Sequence, residues 1–280
     1  MHVTLLTPDS SYDQFRDVWE ARIALYAGLL EPHGIVLEPV AWPNARPVRP
    51  AWAQLAWGYH LQPARWETLL AAWPDDVLLL NPAALLRWNS DKRYLNDLAA
   101  AGVPIVPTRF AGLANDAELA AARAEFGADE LVVKPRISAS ARSTSRVAPA
   151  DPAPNLADAM IQPFMPSVQD QGELSVFFFG GDLAHSVRKV AAPGDFRVQR
   201  EYGGAFTLVE PSEAELSVAC AAMAATPQQP FYARVDMVPD AAGQPRVMEL
   251  ELIEPDLYLD LAPDRGASFA AALAERLRAG

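Results

Sequence analysis

Arg234-Val235-Asp236-Met237-Val238, a turn at Asp240-Ala241-Ala242-Gly243-Gln244, and then Val247-Met248-Glu249-Leu250-Glu251-Leu252-Ile253-Glu254-Pro255 read as a β-hairpin that carries acids where a strand is usually apolar. Side chains on a strand alternate, so Met248, Leu250 and Leu252 share one face while Glu249 and Glu251 share the other. Val235 and Met237 likewise oppose Arg234 and Asp236. Folding about the turn sets Asp236 opposite Glu249, within reach across the two strands. Three carboxylates then meet on one patch. They repel unless positive charge sits among them, and hard oxygen ligands of this kind suit Mg²⁺ shared with substrate phosphates. An ordinary hairpin with a polar, half-solvated outer face fits the same residues.

The chain has 280 residues, 51% of them hydrophobic, enough to bury a substantial core divided over two or three subdomains. Its net charge of −12 argues against a nucleic-acid backbone as main partner, while leaving room for a local basic pocket. The first residues, Met1-His2-Val3-Thr4-Leu5-Leu6-Thr7-Pro8-Asp9, read as neither signal peptide nor membrane span. The expected partners are small-molecule substrates, with no nucleic acid and no membrane; a homodimer stays open. The single cysteine, Cys220, lies in an apolar helical stretch and reads as a buried thiol, which fits a reducing cytoplasm.

Residues 1–88 read as a small open α/β sheet: strands over 3–6, 35–40 and 77–81, helices ending at Leu30 and spanning 64–73. All seven tryptophans fall here, mostly as packing residues. Trp57, Tyr59 and His60 read as the end of a further strand, where α/β sheets hold ligands, and are candidates to line a substrate pocket. No glycine-rich turn follows the first strand, which argues against a dinucleotide site.

From residue 89 the character changes. Asn89-Ser90-Asp91 offers an N-cap for a helix over 92–101, a proline-marked strand follows over 103–108, and a helix over 116–126. Leu131-Val132-Val133-Lys134-Pro135 is an apolar strand ending in a lysine, which needs an anionic partner if buried. Residues 137–146, with Ser138, Ser140, Arg142 and Arg146, suit either a flap over phosphate or a plain surface loop. Gln162 and Phe164 precede Glu173, a strand over 174–179 and, after the Gly180-Gly181-Asp182 turn, a strand over 183–190 with Arg188 and Lys189. Arg197 comes next. Basic side chains on strands are costly unless they face an anion.

In this order the pieces resemble the ATP-grasp superfamily, most closely its small members related to glutathione synthetase and to the cyclo-ligase of cycloserine biosynthesis. The resemblance implies an ATP-grasp fold over 89–280, with a smaller ATP-binding lobe over 89–162 and a C-terminal lobe over 163–280, preceded by the N-terminal α/β domain. It implies ATP and Mg²⁺ as cofactors, with Mn²⁺ as an alternative metal. By that similarity Lys92 and Lys134 hold phosphates, helped by Ser138 and Ser140 of the flap. Gln162 and Phe164 meet the adenine, and Glu173 lies near ribose or purine. Arg188, Lys189, Arg197 and Arg234 gather around the transferred phosphoryl group. Asp236, Glu249 and Glu251 bind the metal, and Trp57, Tyr59, His60 and Glu254 meet the substrate. Two features depart from the usual pattern: the flap is serine- and alanine-rich rather than glycine-rich, and Glu251 stands where asparagine is common.

The reaction implied is ligation, in which ATP converts a small carboxylate into an acyl phosphate that an amine attacks, releasing ADP and phosphate. An intramolecular cyclo-ligase of cycloserine type, with ATP activating a ureido group, is the alternative. An ATP-binding sensor without turnover is a third reading.

Overall fold

The computed structural model describes residues 1–139, 142–192 and 203–279. Strand β1 (His2–Thr7) is buried on both faces from Val3 onward, as a central parallel strand must be. It pairs in parallel with β2 (Val36–Ala41) and with β3 (Ala51–Trp52), which pairs with β4 (Leu79–Leu80), giving the order β2-β1-β3-β4. Helices α1 (Arg16–Leu30) and α2 (Pro63–Ala71) make the crossovers. The strand expected to end at 57–60 is absent: the chain reverses at Gly58 (φ 84°) and enters a 3₁₀ turn, Tyr59–Leu61. These residues still lie beyond the carboxyl end of β3, where a ligand is met.

Two short helices follow, α3 (Ala83–Asn89) and α4 (Tyr94–Ala100). The sequence signal at Asn89 is a cap of a different kind from the one expected. Asn89 closes α3, and its buried amide donates to Leu250 O (2.8 Å) and accepts from Leu252 N (2.9 Å), so it fastens the acid-bearing strand. Asp91 instead accepts from Arg93 N ahead of α4. Residues 103–108 form no strand. Pro104 and Pro107 withhold donors, and one parallel bridge joins Ile105 to Val247.

An antiparallel sheet of order β5-β8-β6-β7 is built from β5 (Arg109–Ala114), β6 (Leu131–Pro135), β7 (Ser145–Val147) and β8 (Leu156–Pro163), with α5 (Asp116–Phe126) covering one face. Asn115 caps α5 by accepting from Glu118 N, and Gly127 ends it at φ 62°. After α6 (Ser167–Asp170) comes a second sheet, β11-β10-β9-β12-β13, from β9 (Glu173–Phe179), β10 (Asp182–Val190), β11 (Ala205–Leu208), β12 (Tyr232–Pro239) and β13 (Pro245–Glu251). Helix α7 (Glu213–Ala224) opens on a Ser212/Glu215 capping box. It buries Ala219 and Ala222 and leaves Cys220 exposed, which corrects the expectation of a buried thiol. Helix α8 (Ala267–Ala279) returns to the first sheet, where Phe269, Leu273 and Leu277 share a core with Val3, Tyr26 and Trp52. Among the described residues no helix is long and apolar enough to cross a membrane.

Candidate active site

Asp236 pairs with Glu249 and Arg234 with Glu251, through a bulge at Met248 that puts Val247, not Met248 as expected, in one core with Leu250. On the neighbouring strands Asp236 meets Ser175, and Lys189 meets Glu173. One face of β10-β9-β12-β13 therefore carries Lys189, Glu173, Ser175, Arg234, Asp236, Glu249 and Glu251. The opposite face is apolar, with Leu174, Val176, Val235 and Leu250 in one core cluster.

The positive charge that the acids require sits among them. Asp236 accepts from Ser175 Oγ, from Lys189 Nζ (3.3 Å) and from Arg234 Nε and Nη2 (3.0–3.1 Å). Lys189 also pairs with Glu173, and Arg234 with Glu251. Arg234 Nη1 donates to Asp256 O at 3.3 Å. Among the described residues four of the five guanidinium N–H groups are thereby engaged, and one on Nη1 remains. Burial pushes the Asp236 carboxyl up, but Arg234 and Lys189 outweigh it and hold it well below the usual range. Among the described residues no cluster of three or more acid, histidine or cysteine side chains is arranged to hold a metal ion. The acids of this face are instead interleaved with cations, Lys189 lying between Glu173 and Asp236 and Arg234 between Asp236 and Glu251.

Lys92 closes the cleft from the loop before α4. Its Nζ donates to Ser138 O at 2.7 Å and pairs with Glu249 Oε1 at 3.0 Å. Ser138 Oγ in turn donates to Pro135 O. Lys134, at the end of β6, has no hydrogen-bond or ion-pair partner among the described residues; burial lowers its pKa against the pull of Glu249. Glu249 is pushed up by burial and pulled below the ordinary range by Lys92 and Lys134. Burial raises Glu173 and Glu251 to about 7, and Glu254, half-buried and also repelled by Glu251, to about 8.

Several sequence candidates lie elsewhere. Arg188 neighbours Lys189 and so must face the other way; it pairs with Glu215 of α7 at 2.9 Å, outside the acid cluster. Arg188→Ala is therefore expected to leave turnover within about threefold of wild type and to cost at most about 1 kcal/mol of stability, checked by steady-state rates and urea unfolding. Gln162 is buried and donates to Thr108 Oγ1 at 2.9 Å. The face of Phe164 is covered by the Arg146 guanidinium at 3.7 Å. Glu173 holds Lys189 rather than standing free. Ser140 and Arg197 lie outside the described residues.

On the N-terminal side, Tyr59 is buried against Trp66 (5.4 Å between centroids) and His60 (5.8 Å). Trp57 packs beside the first core and its carbonyl accepts from Trp42 Nε1. His60 Nδ1 is buried with no hydrogen-bond partner among the described residues; burial and then Arg142 and Lys92 depress the ring to about 4, so it is neutral at pH 7. Sequence reading missed Tyr12, whose ring packs on Gly58 so closely that a Cβ there would lie 2.9 Å from it. Burial and the field of Glu254 raise its hydroxyl to about 12. It also missed Ser175, although strand alternation places that residue on the face of Glu173.

A pH dependence follows. Glu173, Glu251 and Glu254 titrate higher in the fold than the ordinary value of 4.5, so their contribution to stability is complete below that value and is lost as pH rises through about 7 to 8. The ligand-free protein should melt at progressively lower temperature from about pH 5 to 8 and level off above that, and Glu254→Gln should flatten the decline. An unchanged slope in that variant would place the titration elsewhere.

This chain is similar to the cycloserine biosynthesis protein DcsG of Streptomyces lavendulae, 37% identical over 231 residues that span 71% of this chain and 74% of that protein. Among solved structures, D-cycloserine synthetase DcsG matches with a TM-score of 0.79 and 30% identity over 99% of this chain and 100% of that one. The ATP-grasp ligase PsnB, solved with a variant precursor, Mg and ADP, shares the fold at a TM-score of 0.68 and 15% identity over 98% of each chain. No protein-family model matches the chain. Two facing sheets with lysines and acids between them, in a chain alike DcsG over its length, identify the protein as an ATP-dependent ligase that belongs to the ATP-grasp family.

Proposed function

We propose that the enzyme uses MgATP to activate the carboxylate of an amino-acid-type substrate as an acyl phosphate, and that a nitrogen of the same molecule then closes a ring. One observation carries this reading: Lys92, Lys134, Lys189 and Arg234 gather with Asp236, Glu249 and Glu251 in a single cleft. Phosphoryl transfer needs charge neutralisation and alignment more than a protein nucleophile. The similarity to DcsG favours ring closure over the joining of two molecules.

In this reading Lys134 meets a phosphate directly, having no ion pair to give up, and Lys92 exchanges Glu249 for phosphate. Glu249 and Glu251 share a strand face, each held by one cation, and their hard oxygens fit Mg²⁺, with Mn²⁺ as an alternative. Asp236 is saturated by Ser175, Lys189 and Arg234, so it fits the role of orienting those cations better than that of a metal ligand. Bound there, the ion would neutralise phosphate oxygens. Gln162 and Phe164 remain on the adenine side, which requires Arg146 to leave the ring face. Glu254 would receive an ammonium and the remaining Nη1–H of Arg234 a carboxylate, with Tyr12, Tyr59 and His60 lining the substrate.

The substrate carboxylate attacks the γ-phosphorus and ADP leaves. The nitrogen then attacks the acyl carbon, phosphate leaves, and the nitrogen gives up one proton. Opening the ring amide of D-cycloserine with water gives β-aminooxy-D-alanine, which is therefore the probe of choice together with its ureido derivative. Incubation with MgATP should release ADP, phosphate and a cyclic product, followed by mass spectrometry. No ADP with either compound would overturn the substrate, and ADP formed only after adding a separate amine would move the reading to intermolecular ligation.

A further inference from the structure

The segment that follows β13 carries Glu254 and is held from the N-terminal domain at several points. Asn81 donates to Leu252 O at 2.7 Å, Gln54 Nε2 donates to Pro255 O, and Arg22 Nη2 donates to Asp256 Oδ2 at 2.5 Å. Asp256 is the centre of this junction. Its Oδ1 accepts from Tyr258 N at 3.1 Å, and its carbonyl accepts from Arg234 Nη1. A guanidinium on α1 is thus joined, through one aspartate, to the arginine at the middle of the acid face and to the turn two residues after Glu254.

The junction is poorly built for stability. Arg22 Nε, the Tyr26 hydroxyl and Gln54 Oε1 are buried side by side, and none makes a well-formed hydrogen bond among the described residues, although Arg22 and Gln54 both approach the Tyr26 hydroxyl. A half-satisfied buried polar network is worse than an apolar core of the same shape, so burial alone does not account for these residues. Burial also opposes the charge on Arg22, and Asp256 more than restores it. What such a contact supplies is a fixed relative placement of two elements. The elements here are helix α1 and the segment between Glu254 and Tyr258.

We propose that Arg22 is a positioning residue for the acceptor substrate: through Asp256 it sets the backbone that places Glu254 and fixes the free Nη1–H of Arg234. This rests on the substrate roles given to Glu254 and Arg234 above. Neither Arg22 nor Asp256 is paired with Lys92 or Lys134, so KM for ATP serves as the internal control.

The test compares Arg22→Ala, Arg22→Lys and Asp256→Asn with wild type, using ADP release from β-aminooxy-D-alanine and hydrogen exchange of the peptide over 252–262. Arg22→Ala should raise KM for the amino acid at least about tenfold with KM for ATP within about twofold, because a small displacement of the groups that orient a substrate is felt mainly in its own constants. Arg22→Lys should recover most of the loss, and exchange at Tyr258 should speed up in Arg22→Ala but not in Arg22→Lys. Equal changes in both KM values, or no rescue by lysine, would mean a merely structural contact and overturn the proposal. Absence of ADP release by the wild-type enzyme would overturn the substrate reading alone; unchanged exchange at Tyr258 would then still refute the placement by Arg22.

Discussion

Asp236→Asn is expected to lower the unfolding free energy of the ligand-free protein by about 3–5 kcal/mol, read as a lower urea midpoint at unchanged slope. The sequence alone suggests the opposite, since removing one of three clustered acids relieves repulsion. The structure reverses the sign because Asp236 is buried between Lys189 and Arg234 and takes a further hydrogen bond from Ser175. Without its charge two buried cations share only Glu173 and Glu251. Glu249→Gln makes the contrast. That carboxylate is 26% exposed and is paired with one cation, Lys92, where Asp236 holds two, so its loss should lower the urea midpoint less than Asp236→Asn does while abolishing turnover. Equal midpoints for Asp236→Asn and wild type would show that the ion network is not the structural element described here.

Lys134→Ala is the second large effect, and it separates binding from stability. Losing a charge-assisted contact to phosphate should weaken MgATP binding by about 1.5–3 kcal/mol, roughly 10- to 150-fold, in calorimetry. The ligand-free protein should melt no lower than wild type. Burial depresses the pKa of this lysine, so its ionised form opposes folding at pH 7, and no ion pair is lost with it. Weaker ATP binding together with a lower melting temperature would assign Lys134 a structural part instead. Unchanged ATP affinity would remove it from the phosphate site.

Alternation along each strand made the shared face of Asp236 and of Glu249 and Glu251 legible in the sequence, but the register also needs a bulge, since counting back from the turn through Met237 and Val247 would set Asp236 against Met248. Helix α5 was legible for a similar reason, bounded by Asn115 and Gly127. Residues 103–108 and α3 were not. The first looks apolar enough for a strand, but its two prolines leave too few donors to pair; the second is a short helix of two turns whose last residue, Asn89, serves a strand 161 residues away. Such long-range hydrogen bonds have no local signature. Nor does the division of labour among the acids, because which carboxylate meets which cation depends on four strands brought together only by folding. Arg188 is different: its exclusion from the acid face follows from its adjacency to Lys189, and alternation, applied as it was to the hairpin, reveals it.

Serine and alanine in the flap place Ser138 rather than glycine under Lys92, whose ammonium takes both the Ser138 carbonyl and Glu249. In the absence of nucleotide this lysine is thus neutralised by an acid proposed to meet the metal. Entry of MgATP would exchange both partners at once, since the ion takes Glu249 and the phosphate takes Lys92. ATP without divalent metal should accordingly bind more weakly than MgATP, by more than the ordinary loss of screening between phosphate and carboxylate.

Acyl phosphate formation is the central claim, and transfer of oxygen isotope tests it directly. β-Aminooxy-D-alanine, or its ureido derivative, labelled with ¹⁸O in both carboxylate oxygens, should pass one ¹⁸O to inorganic phosphate for each ring closed, with ADP as the nucleotide product. Turnover that yields unlabelled phosphate, or that yields labelled AMP, would contradict it.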